Sequence, residues 1–269
     1  MDPARPLDVF VHIPKTAGST LNALLLRHHA ARRSPRLWGV ARGVLPGAVI
    51  ENSVTGRWLS LLLAGGCSHL EMHGGTAFFD RVMARADWVS AHLSARRLRR
   101  QAEAAGRTPR LFTVVREPVA QLASHYQWWI EIHDRGPWRY WRYDRRLRDL
   151  SARIRATDNR DPRAVIAVLE DHAPLFLNLQ ARYVLGPPGA DLSALRAFEA
   201  LGVDDDLGGV ARAMTGEAPP LPRLNRSVSR FDRSVFEAPE MRRFLRARHA
   251  DDLAHRLGAD DVEGAGLGG

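Results

Sequence analysis

Cysteine is nearly missing from this chain: Cys67 stands alone among 269 residues. No intrachain disulfide can form from it, and a metal site built on several thiolates is disfavoured. Long apolar runs are missing too. The longest, near Leu59–Ala64, falls far short of the roughly 20 residues that cross a bilayer. The opening Met1–Pro6 carries no apolar region of signal-peptide type, which predicts a cytoplasmic protein. There is no internal repeat and no heptad pattern. Lysine is as scarce as cysteine: of 39 Lys+Arg residues, only Lys15 is a lysine. The remaining composition is that of a globular chain, 45% hydrophobic with a net charge of +9. At this length one large domain over residues 1–269 is expected. Such a charge favours anionic partners.

Where arginine serves every generic cationic position, one lysine marks a place that needs a compact ammonium rather than a planar fork. Lys15 lies in His12-Ile13-Pro14-Lys15-Thr16-Ala17-Gly18-Ser19-Thr20. The apolar run Val9–Val11 precedes this turn and a helix-like stretch, Leu21–Ala30, follows it. A strand, a glycine-containing turn and a helix N-terminus make an anion cradle. Lys15, Thr16, Ala17, Gly18, Ser19 and Thr20 therefore read as a phosphate or sulfate site. The pattern is not a Walker A loop, in which the lysine follows the second glycine and opens the helix. No Walker A occurs in the chain, no Walker B aspartate can be placed, and no metal-ligand spacing is seen.

Asp8–Ile13, Trp88–His92 and Leu111–Val115 read as short buried strands. Leu21–Ala30, Ala95–Ala105 and Val119–Ile130 read as the helices between them. This alternation predicts an α/β fold with a mostly parallel central sheet flanked by helices. Residues 128–160, rich in Trp, Tyr and Arg, read as a helical cap or acceptor-binding insertion. The chain after Pro162 reads as mainly helical. Pro187–Gly189 and Pro219–Pro222 mark loops, and 264–269 is expected to be a disordered tail.

A second motif, Leu111–Val115 followed by Arg116-Glu117-Pro118, puts a guanidinium at the carboxyl end of a strand, the ligand edge of an open α/β sheet. Pro118 suits the first turn of the next helix. Ser124 lies about two turns into that helix by the ordinary α-helical repeat, so Arg116 and Ser124 together read as a second anion site. A ligand with two separated anionic groups would satisfy both.

These two motifs resemble the sulfotransferases that use 3′-phosphoadenosine 5′-phosphosulfate (PAPS), in particular the carbohydrate branch with the heparan sulfate 2-O- and 6-O-sulfotransferases and their bacterial relatives. His12–Thr20 is similar to the family's 5′-phosphosulfate loop, and Arg116-Glu117-Pro118 with Ser124 to its 3′-phosphate motif. Ser90-Ala91-His92, Asn178-Leu179-Gln180-Ala181-Arg182 and Leu224-Asn225-Arg226-Ser227 resemble further family segments in the expected order. Ala91 stands where glycine is usual, and Ser19 where threonine is commoner. The resemblance implies a P-loop NTPase-like three-layer fold. It also implies PAPS as co-substrate, 3′,5′-adenosine bisphosphate as product, no metal, and a hydroxylated small molecule or glycan as acceptor. Asn225 and Ser227 would lie in the loop closing over the nucleotide.

Lys15 would then stabilise charge on the leaving phosphate, and a base would take the acceptor's proton. His92, at a strand end on the ligand edge, is the candidate, with His69, His73, His125 and Glu51 as alternatives. His12 reads as a packing residue. His125, Trp128 and Trp129 are candidates for contacting the acceptor. Trp128, Trp129, Trp138, Tyr140 and Trp141 would form a sugar-stacking platform or equally the core of a helical cap. Arg96, Arg97, Arg99 and Arg100 read as a solvated helix face. Nucleic acid and membrane insertion are not expected. Two other classes stay open: a nucleotide phosphotransferase on the same cradle, and a non-catalytic nucleotide- or nucleic-acid-binding module.

Overall fold

A computed structural model describes residues 6–32, 47–50, 58–63, 66–71, 83–84, 86, 88–132, 145–186, 192–203, 207–217 and 231–254. Asn225, Ser227, Glu51, His73, Trp138, Tyr140, Trp141 and the tail lie outside these residues, as does the side chain of His69. The chain divides into two compact units. The first comprises Met1–Val115, Arg182–Leu224 and Ala259–Gly269, and the second Arg116–Ala181 and Asn225–Gly258.

The first unit is an α/β unit. Its strands are β1 (Pro6–Val11), β2 (Gly47–Ile50), β5 (Trp88–Ala91), β6 (Thr108–Val115) and β7 (Phe198–Val203). They form one sheet in the order β2-β5-β1-β6-β7, with every neighbouring pair parallel. A separate antiparallel hairpin joins β3 (Trp58–Leu63) to β4 (Gly66–Glu71). Strand order reverses about β1: β2 and β5 fill one side before the chain crosses to β6 and β7 on the other. In open α/β sheets ligands bind at such a reversal, outside the carboxyl ends of the strands.

The strands lack polar alternation because both faces are covered. Phe10, Phe112 and Val114 pack into a cluster with Leu21, Leu24 and Leu25 of α1 (Gly18–Arg32) and with Leu207, Val210, Ala211 and Met214 of the helix Leu207–Thr215. Val9, Val11, Leu111 and Val115, of the opposite parity, are also buried. The helix α2 (Ala95–Ala104) packs on β1 and β6. It buries Ala95, Leu98 and Ala102 and leaves Arg96, Arg97, Arg99 and Arg100 exposed, the solvated face expected of that charge run. Each fully buried leucine or phenylalanine contributes about 1.5–3 kcal/mol. At the amino end of the sheet, Arg107 is buried and donates to the carbonyls of Ala84, Ala86 and Pro6 at 3.0–3.1 Å.

The second unit is helical. The helix α3 (Pro118–Glu131) opens with Pro118 at its first position. Glu117 is its N-cap, accepting from the amides of Val119 (3.0 Å) and Ala120 (2.6 Å). Against α3 packs α4 (Arg145–Ala156). Leu122, Tyr126 and Trp129 join Leu150, Ile154, Val165, Phe176, Phe236 and Met241 in one apolar cluster. The Tyr126 hydroxyl donates to Asn159 Oδ1 at 2.7 Å, and burial pushes its pKa up.

Three strands and three helices expected from the sequence are present with ends shifted by a few residues. The chain after Pro162 is mainly helical among the described residues, as expected, and β7 is a strand that the sequence does not announce. The sequence of β7, Phe198-Glu199-Ala200-Leu201-Gly202-Val203, contains a glutamate and a glycine, and only its pairing with β6 makes it a strand.

Candidate functional site

The loop after β1 has an unusual backbone. Lys15 (φ 69°) and Ala17 (φ 62°) both occupy the left-handed region, and Thr16 between them does not. For an L-residue with a side chain that conformation costs roughly 1–2 kcal/mol. Alternating handedness turns successive N–H groups toward one concavity, the arrangement of an anion-binding nest. The loop opens directly into α1, whose positive end adds to that field. Lys15 is half-buried at this turn.

The hydroxyls of the loop are not equivalent. Thr16 is fully buried and donates to the Ile13 carbonyl at 3.1 Å, so it braces the turn from inside. The reading of Thr16 as part of the anion site then rests on its backbone amide. Ser19 is exposed and Thr20 buried, and the Thr20 amide donates to the Ala17 carbonyl at 2.9 Å.

His92 immediately follows β5. The register pairs Val11 with Ala91, which brings His12 and His92 to neighbouring positions at the strand ends. Nδ1 of His92 lies 2.6 Å from the His12 carbonyl oxygen. A carbonyl only accepts, so Nδ1 carries the proton and the lone pair of the neutral ring sits on Nε2. In this tautomer Nε2 is the ring atom that can accept a proton. Tyr183 donates its hydroxyl to the His92 carbonyl at 3.4 Å, and burial pushes that hydroxyl's pKa up to about 12.

In the second unit, Arg116 follows the last residue of β6. Its backbone is held at both polar atoms by one side chain: its N–H donates to Gln180 Oε1 and its C=O accepts from Gln180 Nε2, both at 2.8 Å. Gln180 is itself fixed from below. The buried Asp252 carboxylate accepts from the amides of Gln180 (3.2 Å) and Ala181 (2.6 Å), at the start of the helix Leu179–Val184. Asn178, left-handed at φ 51°, donates its amide to Nδ1 of His249 at 2.8 Å. His249 is fully buried 3.5 Å from Asp252, and burial holds its pKa below the usual range although Asp252 raises it. The segment Asn178–Ala181 thus supports Arg116 through Gln180. The sequence marks Asn178–Arg182 as a family-like segment but not the support that Gln180 gives to Arg116, and it does not single out Asp252 or His249.

Ser124 and His125 lie on α3, each only 7% exposed. Trp129 donates its indole N–H to His125 Nε2 at 3.3 Å, and the His125 ring lies 5.4 Å from that of Phe176. Trp129 is 1% exposed inside the apolar cluster, and Trp128 packs edge-on against it. His125 and Trp129 therefore pack within the core of the second unit, which for Trp129 is the helical-core alternative of the two left open by the sequence. Among the described residues no group of three or more His, Cys, Asp or Glu could hold a metal ion, and no helix is long and apolar enough to cross a membrane.

Comparison with known proteins leaves the site to be read from its own chemistry: no family model, no curated protein and no solved structure matches the chain.

Proposed function

We propose that this chain is a cytoplasmic PAPS-dependent sulfotransferase of P-loop NTPase-like fold, acting on a hydroxyl of a sugar or glycoconjugate. The observation that carries this reading is the loop Ile13–Gly18, where the chain's sole lysine sits in a strained, nest-forming backbone at a helix start. A PAPS molecule fits this donor set: its 5′-phosphosulfate is the anion a nest and one ammonium would hold, and it supplies an activated sulfuryl group. When that group passes to the acceptor, an acceptor O–S bond forms, the S–O bond to the 5′-phosphate breaks, and the electron pair stays on the phosphate. Lys15 and the amides of Thr16–Ser19 stabilise charge where it develops, usually a large catalytic contribution, while the Thr20 amide holds the turn closed through the Ala17 carbonyl. His92 accepts the hydroxyl proton at Nε2. The 3′-phosphate roles of Arg116 and Ser124, and the acceptor class, rest on the sequence resemblance. A sulfuryl group carries less charge than a phosphoryl group, so the reaction needs no metal.

Calorimetric titration with 3′,5′-adenosine bisphosphate, against AMP and ATP–magnesium, tests the reading. Micromolar binding that depends on the 3′-phosphate and ignores magnesium is expected, and Arg116→Ala should abolish the preference over AMP. Preference for ATP–magnesium would replace the proposal with a phosphotransferase. Absence of all nucleotide binding would leave a basic interaction module.

A further inference from the structure

His12 precedes the anion loop and looks like an ordinary strand-end residue. Its surroundings give it a larger part. Its amide donates to the Ala91 carbonyl at 3.0 Å, and its own carbonyl accepts from His92 Nδ1 at 2.6 Å. Its ring stacks on the His92 ring, with centroids 4.0 Å apart and planes 29° from parallel. On the loop side the same ring presses against Gly18. A β-carbon built on Gly18 would stand 2.1 Å from His12 Cδ2 and 2.3 Å from Nε2. Gly18 has no left-handed backbone to explain a glycine there; the imidazole beside it does.

We propose that His12 is a positioning residue, a rigid wedge whose ring sets the spacing between the anion loop at Gly18 and the base His92. The role of His92 rests on the function proposed above. His12 itself is only 6% exposed, with Asn22 Nδ2 3.4 Å from its Nδ1. Burial first, and His92 second, hold its pKa well below 6.5. The wedge therefore stays neutral and places no charge under His92 as that ring takes up a proton. Any inward shift of the loop must displace the His12 ring, and with it the stacked His92.

A double-mutant cycle of Gly18→Ala and His12→Ala tests this. The first readout is calorimetric affinity for 3′,5′-adenosine bisphosphate. The second is the His92 imidazole NMR resonances, assigned by their loss in His92→Gln. Gly18→Ala is expected to weaken binding about tenfold and to shift the His92 resonances, because the new methyl must push the ring aside. In the His12→Ala background, where the methyl has room, the same substitution should cost less than about twofold and leave His92 unshifted. Equal penalties in both backgrounds would overturn the wedge. Should the wild-type protein bind no nucleotide, the sulfotransferase reading falls while the NMR arm still decides the wedge. If His12→Ala does not fold, Gly18→Ala alone decides: unshifted His92 resonances in a folded protein refute the proposal, and shifted ones support it.

Discussion

Gln180→Leu keeps the bulk of the side chain and removes its amide. The structure shows what is lost: two hydrogen bonds of 2.8 Å, one to each polar backbone atom of Arg116. A bond of this kind contributes about 1–1.5 kcal/mol net, so the pair is worth about 2–3 kcal/mol. In a chain of this size that lowers the melting temperature by about 5–10 °C. The Asp252 carboxylate is bonded to the backbone amides of Gln180 and Ala181, not to the Gln180 side chain, so the substitution leaves those bonds in place. The effect should therefore centre on Arg116. Thermal unfolding followed by tryptophan fluorescence reads the first consequence. Calorimetry reads the second: preference for 3′,5′-adenosine bisphosphate over AMP should drop about tenfold, with AMP affinity itself changed less than about twofold. A melting temperature within about 1 °C of wild type would show that the clamp carries little energy. A large melting shift with the nucleotide preference intact would show that it is structural support only, unconnected to the guanidinium.

Lys15→Ala should lower turnover by about 10²–10³-fold, the equivalent of roughly 3–4 kcal/mol, while nucleotide affinity falls much less, because the ammonium acts chiefly as the S–O bond breaks. Equal losses in single-turnover rate and affinity would contradict that role. Lys15→Gly should melt higher than Lys15→Ala by an amount corresponding to about 1 kcal/mol, since glycine tolerates φ 69° without steric cost; a lower melting point for the glycine variant would mean the loop is not strained. Stability should also decline in mild acid. His12 and His249 both have pKa values lowered by burial from the ordinary 6.5. The unfolded chain thus binds protons that the native state refuses, so stability is intact above that value and lost as pH falls below it, by up to about 1.4 kcal/mol per pH unit for each ring. Melting curves from about pH 7.5 down to about pH 5 check this, and His249→Gln should flatten the slope.

The parts of this structure legible in the sequence are those written locally. Val9–Val11, Val89 and, Thr113 apart, Leu111–Val115 are apolar because both faces of a parallel sheet are covered, and such runs can be seen without a partner strand. Pro118 after Glu117 announces a helix start. Lys15 announces itself by being the only lysine. Strand β7 is invisible because Glu199 and Gly202 break its pattern and only pairing with β6 makes it extended. The left-handed Ala17 is likewise hidden, since alanine carries no local sign of positive φ. The greatest omission is the support of Arg116. Gln180 and Asp252 lie far downstream, and an amide or carboxylate gives no hint in sequence of the backbone it will hold. His12 reads as packing, and its packing is against Gly18 and the His92 ring.

The Arg116–Gln180 clamp also bears on chain entropy. Its partners are 64 residues apart, so closing it costs the entropy of a long loop before either bond forms. Helices between them form from near neighbours and need no such closure. The clamp therefore closes a much longer loop than any hydrogen bond within the helices between its partners. The Arg116 amide proton forms one of its two bonds, and the protection of that proton from hydrogen exchange reads how often the clamp opens.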